Sequence, residues 1–157
     1  MLETGRPFPR FELPDQSGQP HSLKDYAGRW AVIYFYPKDN TSACTLEARD
    51  FTASAAQFKK RKAAVIGVSP DSVKSHAGFV ENKELGITLL SDAEHSLLEA
   101  AGVWQIKKMY GREFFGVVRT TVLVDPEGLV REVWSKVKVP GHVEKVLSRL
   151  IELQSAK

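Results

Sequence analysis

Ala31-Val32-Ile33-Tyr34-Phe35-Tyr36, followed by Pro37-Lys38-Asp39-Asn40-Thr41-Ser42-Ala43-Cys44, is the stretch that decides the fold. Its first six residues are an unbroken apolar run, as expected of a strand buried on both faces. From Cys44 to about Lys60 the pattern turns helical, with Ala48, Phe51, Ala55 and Phe58 recurring at steps of three and four. Ala63 to Ser69 is a second apolar strand. Strand, helix and strand at these lengths make a βαβ unit, so the two strands should run parallel. The only cysteine in the sequence therefore sits where a strand hands over to a helix.

That position has chemical consequences. The first turn of a helix carries unpaired backbone N–H groups and a partial positive charge. A thiol placed there is favoured as thiolate, the nucleophilic form. Thr41, three residues upstream, can offer its hydroxyl to the sulfur or cap the helix. Glu47, three residues downstream, suits either a capping box or the holding of a distant arginine. The competing reading is a lone cysteine acting as an inert, small apolar core residue.

Outward from this unit the pattern is mixed. Phe11 to Leu13 and His21 to Leu23 suggest two short strands around a Pro14–Gly18 turn. After Ala63–Ser69, Pro70 and Asp71 lead into a second helix from about Ser72 to Lys83, with Val73, Ala77 and Val80 facing inward and Gly86 ending it. Thr88 to Leu90 is a short strand. Ser91 and Asp92 open a short helix through Leu97, Leu98 and Ala101, stopped by Gly102. Residues 103–116 read as irregular, with Trp104, Phe114 and Phe115 expected to be packing residues rather than the lining of a substrate entrance. Val117 to Asp125 is a strand, Asp125-Pro126-Glu127-Gly128 a turn, and Leu129 to Trp134 an antiparallel return. A final amphipathic helix after Pro140-Gly141 carries Val143, Val146, Leu147, Leu150 and Leu153. With no repeat or linker, residues 1–157 read as one domain.

Composition narrows the function classes. The formal charge is +3, and the one basic run, Lys59-Lys60-Arg61-Lys62, falls at a helix end where cations suit the dipole, so no nucleic-acid partner is expected. No run approaches the ~18 apolar residues of a membrane span. The N-terminus lacks a basic region followed by an apolar core, so no secretory signal is read there. A single cysteine cannot make an intramolecular disulfide, which fits a reducing cytoplasm. His21, His76, His95 and His142 are scattered without metal-ligand spacing, so neither a metal nor another cofactor is expected. Ser69, Ser91 and Ser96 have no base at a recognisable spacing, which excludes a serine nucleophile.

Pro37, Thr41 and Cys44 spell P-x-x-x-T-x-x-C, which resembles the peroxiredoxin active-site motif. The flanks YFYPKDNTSACTLEARDF are most similar to the bacterioferritin comigratory protein (peroxiredoxin Q) subfamily, and LLSDAEHSLLEAAGVW and GVVRTTVLVDPEG agree in order. The resemblance runs from about Phe8 to Leu150. It implies an α/β, thioredoxin-like fold: a central mixed β-sheet flanked by helices, with an N-terminal β-hairpin extension. It also implies a thiol-dependent peroxidase acting on hydrogen peroxide and organic hydroperoxides. Cys44 would be the peroxidatic nucleophile, oxidised to sulfenic acid. Thr41 would hydrogen-bond the peroxide or thiolate, Pro37 would screen the sulfur from water, Arg119 would position and polarise, and Glu47 would orient Arg119. Outside that motif context, Arg119 is a surface-strand charge, Pro37 a strand terminator and Thr41 a helix cap.

Two departures stand out. Many subfamily members read Thr-Pro-Gly-Cys where this chain has Thr41-Ser42-Ala43-Cys44. The resolving cysteine is also missing: the positions where the subfamily places it hold Arg49 and, in the next helix, a residue near Val80. A one-cysteine enzyme follows, its sulfenic acid reduced by an external thiol of thioredoxin, glutaredoxin or small-molecule type. The expected state is a monomer, with a weak dimer as the alternative. Two other readings stay open on sequence: a redox sensor or thiol-adduct carrier oxidised stoichiometrically, and a non-enzymatic chaperone-like module on the same scaffold.

Overall fold

The structure is a computed structural model and describes residues 2–156. In chain order the elements are β1 (Glu12–Pro14), β2 (Pro20–Ser22), a 3-10 turn at Leu23–Tyr26, β3 (Trp30–Phe35), α1 (Ser42–Ala53), α2 (Ala55–Lys60), β4 (Ala63–Ser69), α3 (Val73–Lys83), β5 (Thr88–Ser91), α4 (Ser96–Ala100), β6 (Trp104–Met109), β7 (Arg112–Val117), β8 (Thr120–Val124), β9 (Val130–Ser135) and α5 (His142–Ser155).

A five-stranded mixed sheet, ordered β5-β4-β3-β8-β9, forms the centre. β3 pairs with β4 in parallel, as the βαβ reading requires, and with β8 antiparallel. Ala31 to Phe35 are all buried because β3 lies between two layers. Ala31, Ile33 and Phe35 pack with Phe8, Leu97, Leu98, Val117 and Val130. Val32 and Tyr34 face the other way, onto Phe51 of α1, Phe58 of α2, Phe79 of α3 and Val146 and Leu150 of α5. β1 and β2 make the expected N-terminal hairpin, joined to the main sheet by a bridge between Asp15 and Leu90.

Four expectations need correction. The helix read from Cys44 to Lys60 is two helices. Ser54 breaks it at φ −100° and ψ 2°, and its carbonyl accepts from Gln57 and Phe58 to start the next one. Serine is a weak helix former because its side chain competes with the backbone, and the break leaves Phe58 beside Phe51, with ring centroids 6.1 Å apart. Second, α3 turns His76 and Phe79 fully inward, leaves Val73 and Val80 half-buried, and exposes Ala77. A count of apolar positions misplaced that face because its most buried polar residue is a histidine. The helix ends at Lys83 as expected, but the residue that stops it is a left-handed Glu84 rather than Gly86.

Third, residues 103–116 are not irregular. β6 and β7 form a regular antiparallel ribbon from Trp104↔Val117 to Met109↔Arg112, turned by Tyr110 and Gly111 at φ 53° and 75°. Two consecutive positive φ values are the mark of the tight turn that suits strand twist. Phe114 and Phe115 are exposed, against the packing expectation, and Trp104 is half-buried. The ribbon escaped detection because neither of its faces is buried, so no alternation marks it. Fourth, the strand expected from Val117 to Asp125 is interrupted at Val118 and Arg119.

Candidate functional site

Strand register brings the distant halves of the site together. Phe35 at the end of β3 pairs with Thr120 at the start of β8. Arg119, one residue before Thr120, therefore stands beside the point where β3 runs into the loop leading to Cys44. The strand break at Val118–Arg119 frees that backbone from the ladder: Val118 donates to the Val103 carbonyl and Arg119 accepts from Val137.

The loop itself is firmly held. Asn40 takes a left-handed conformation at φ 66°, which turns the chain into α1; asparagine accepts that geometry more readily than most residues. The Asp39 amide donates to Asp71 Oδ2 at 2.8 Å. The Asp39 carboxylate accepts from the Tyr36 hydroxyl at 2.6 Å and the Ser75 hydroxyl at 2.8 Å, and faces His76 Nδ1 at 2.7 Å. His76 Nε2 donates to the Leu90 carbonyl at 3.0 Å. Burial acts to raise the Asp39 carboxyl, but His76, Tyr36 and Ser75 outweigh it and hold it below the ordinary carboxylate value. The loop is thus tied to α3 by a buried Asp39–His76 hydrogen bond.

Asp39, Asp71 and His76 bring three potential metal-ligating atoms within 4.8 Å of one another. Hydrogen bonds already engage those atoms: Ser69 donates to Asp71 Oδ2, and Ser75 and His76 meet Asp39 Oδ2. The cluster therefore reads as a proton-satisfied brace.

Cys44 is the third residue of α1 and is 1% exposed. Arg119 Nη2 donates to its Sγ at 3.3 Å, and Nη1 donates to Glu47 Oε1 at 2.6 Å. Glu47 is wholly buried, and its second oxygen, Oε2, has no hydrogen-bond partner. Burial pushes the Glu47 carboxyl up to about 7, with the Arg119 guanidinium pulling against it. Burial opposes the charge on Arg119 too, but Glu47 and Cys44 overcome it and raise its pKa, so the guanidinium stays charged.

Of the two uses open to Glu47, holding an arginine is the one observed; six residues past Thr41, it lies outside the capping-box spacing. Thr41 occupies the N-cap position, yet its side chain makes no capping bond. Its hydroxyl donates to the Lys38 carbonyl at 3.2 Å. The first-turn amides of α1 are thus left without a side-chain cap. Pro37 is half-buried between β3 and this loop.

Sequence reading missed three contributors. Asp39 lies inside the quoted motif and His76 in the next helix; only their contact across 37 residues shows the pairing. Lys107 lies in the stretch read as irregular. It is half-buried, and its pKa is lowered by burial and by the Arg119 charge, with Cys44 acting in the opposite sense. Among the described residues, no helix is long and apolar enough to cross a membrane.

Comparison with known proteins gives a consistent picture. Residues 4–133 match the AhpC/TSA family. The chain is 45% identical over 152 residues to Peroxiredoxin Bcp of Bacillus subtilis, covering 97% of each protein. It is 44% identical to Peroxiredoxin Bcp of Xanthomonas campestris, covering 92% of this chain and 91% of that one. Among solved structures it is similar to the Xanthomonas campestris Bacterioferritin Comigratory Protein, studied for alkyl peroxide reduction, at a TM-score of 0.88 and 42% identity over 97% of both chains. It also matches a cysteine-to-serine mutant of Xylella fastidiosa PrxQ at a TM-score of 0.93 and 36% identity over 98% of both chains. The thioredoxin-like α/β arrangement read from sequence is the fold these neighbours share with it.

Proposed function

Since the chain belongs to the AhpC/TSA family, as a thiol-dependent peroxidase of the Bcp/peroxiredoxin Q type, we propose that Cys44 is its peroxidatic nucleophile and that Arg119, Thr41, Pro37 and Glu47 serve that sulfur. The observation that carries this assignment is the guanidinium of Arg119, which reaches Cys44 Sγ with one nitrogen and Glu47 with the other. Redox-sensor and chaperone-like readings are not favoured beside relatives that are peroxidases.

The reaction follows from those positions. The ionised sulfur of Cys44 attacks one peroxide oxygen; an S–O bond forms as the O–O bond breaks. The departing oxygen takes up a proton and leaves as water or an alcohol, and Cys44 remains as sulfenic acid. Charge builds on both oxygens during the step. Arg119 and the uncapped amides of α1 are donors aimed at that region, which is where fixed donors lower a barrier most. Glu47 holds the guanidinium in its fork, Thr41 offers a hydroxyl at the helix start, and Pro37 walls the sulfur from water. The substrates are hydrogen peroxide and organic hydroperoxides, in keeping with the alkyl peroxide activity of the Xanthomonas relative.

With no second cysteine in the sequence, the sulfenic acid is reduced by an external thiol, from a thioredoxin- or glutaredoxin-type protein or a small molecule. The chain works as a single domain, as a monomer or at most a weak dimer, in a reducing compartment such as the cytoplasm. Mass spectrometry after limiting peroxide should find one added oxygen on Cys44, and Cys44→Ser should abolish turnover. Undiminished peroxide turnover by Cys44→Ser would falsify the assignment.

A further inference from the structure

The β6–β7 ribbon has two unlike faces. Cross-strand pairing and alternation place Lys107, Met109, Arg112, Phe114 and Gly116 on one side. Contacts agree: a Cβ at Gly116 would lie 3.2 Å from Lys107 Cδ and 3.6 Å from Phe114 Cε2. The opposite side carries a Lys108–Glu113 ion pair at 3.5 Å and a Trp104–Phe115 ring stack at 6.1 Å, with Ile106 and Phe115 57% and 59% exposed. The Lys107 side differs in its charge. Among the described residues, neither Lys107 nor Arg112 has a carboxylate partner, while Met109 and Phe114 are 56% and 43% exposed.

This face is also placed next to the chemistry. β7 ends at Val117, two residues before Arg119, so the ribbon grows from the rim of the Cys44 site. Lys107 lies close enough to Arg119 and Cys44 to feel both charges. On the helix side, Leu46, two residues past Cys44, is 45% exposed.

We propose that the Lys107–Met109–Arg112–Phe114 face of the ribbon, with Leu46, is the docking surface for a protein thiol donor whose contact face is apolar with an acidic rim. The proposal rests on the peroxidase reading above. A chain with one cysteine needs a thiol from outside, and that thiol must reach a sulfur only 1% exposed, so the donor has to be held against the rim. Exposed Met, Phe and Arg side chains are the types enriched at protein interfaces. A small thiol would cover little of that surface, and two unpaired cations call for acidic neighbours. In the docked complex one donor thiol attacks the sulfur of the Cys44 sulfenic acid; an S–S bond forms and water leaves. A second donor thiol then attacks the donor's own sulfur in that mixed disulfide. Cys44 departs as thiolate, and the donor ends oxidised by two electrons as a disulfide.

The test separates the two half-reactions, using wild type, a Met109→Ser/Arg112→Glu variant and, independently, Phe114→Ser. All three positions are exposed, so the fold should survive. Sulfenic acid formation on Cys44 and turnover with dithiothreitol should match wild type, while the KM for reduced thioredoxin rises about tenfold, as loss of an interface anchor would produce. A thioredoxin KM within twofold of wild type in both variants would overturn the proposal. So would a wild-type chain that turns over with dithiothreitol but not with thioredoxin or glutaredoxin, or one whose self-association is lost in the variants while the thioredoxin KM stays put. Failure of sulfenic acid formation in the wild type would instead overturn the peroxidase assignment.

Discussion

His142 and Glu47 are buried ionisable residues pushed in opposite directions. Burial lowers His142 to about 4, helped by the charges of Lys145 and Arg119. The unfolded chain takes up a proton at this residue below about 6.5, whereas the folded chain resists until about 4. Its contribution to stability is therefore complete above the unfolded value and lost as pH falls through that window, up to about 3 kcal/mol. Glu47 runs the other way: the folded chain keeps a proton that the unfolded chain releases, so its contribution fades as pH rises from 4.5 to about 7. Comparing wild type with His142→Gln isolates the histidine. Urea denaturation should show wild type losing more stability than the variant between pH 6.5 and 4; parallel curves would contradict the burial argument. Residues of this kind also mark what a sequence can reveal. A spaced motif singled out Cys44 and Thr41, and the family resemblance alone pointed to Arg119, which the structure places 3.3 Å from the Cys44 sulfur. Asp39 and His76 were not legible, because each alone is an ordinary loop acid and helix histidine, and only folding brings them into a buried contact at 2.7 Å.

α3 and the loop before α1 behave as one element, joined by that pair. Replacing His76 by Leu would leave the buried Asp39 carboxyl without one of its hydrogen-bond partners, which costs about 1–3 kcal/mol. Equilibrium unfolding of His76→Leu should show a loss of that size, and adding Asp39→Asn should recover part of it, since the two effects are coupled. A loss below about 1 kcal/mol would mean that the pair adds little beyond surface contacts. Elements buried on one or both faces, such as β3, β4 and α5, were readable from apolar spacing. The β6–β7 ribbon was not, because periodicity records burial and the ribbon has almost none. The Ser54 break was hidden for the opposite reason: Phe51 and Phe58 keep a seven-residue spacing that a continuous helix would also show.

Across the whole molecule, the sheet is the device that makes the site. Cys44 and Arg119 lie 75 residues apart, and the antiparallel pairing of β3 with β8 sets them side by side. The order of strands and helices foretold a parallel βαβ unit followed by an antiparallel return. The register that aligns Phe35 with Thr120 is a property of the packed sheet and could be read only there. On the function proposed above, what the fold contributes to catalysis is one fixed guanidinium, shared between buried Glu47 and the Cys44 sulfur. The rate at which limiting hydrogen peroxide converts Cys44 to sulfenic acid, followed by rapid mixing in wild type and Arg119→Lys, tests that most directly. Lysine keeps the charge but loses the fork that spans both partners, so the rate should fall about tenfold or more; an unchanged rate would contradict the role given to Arg119.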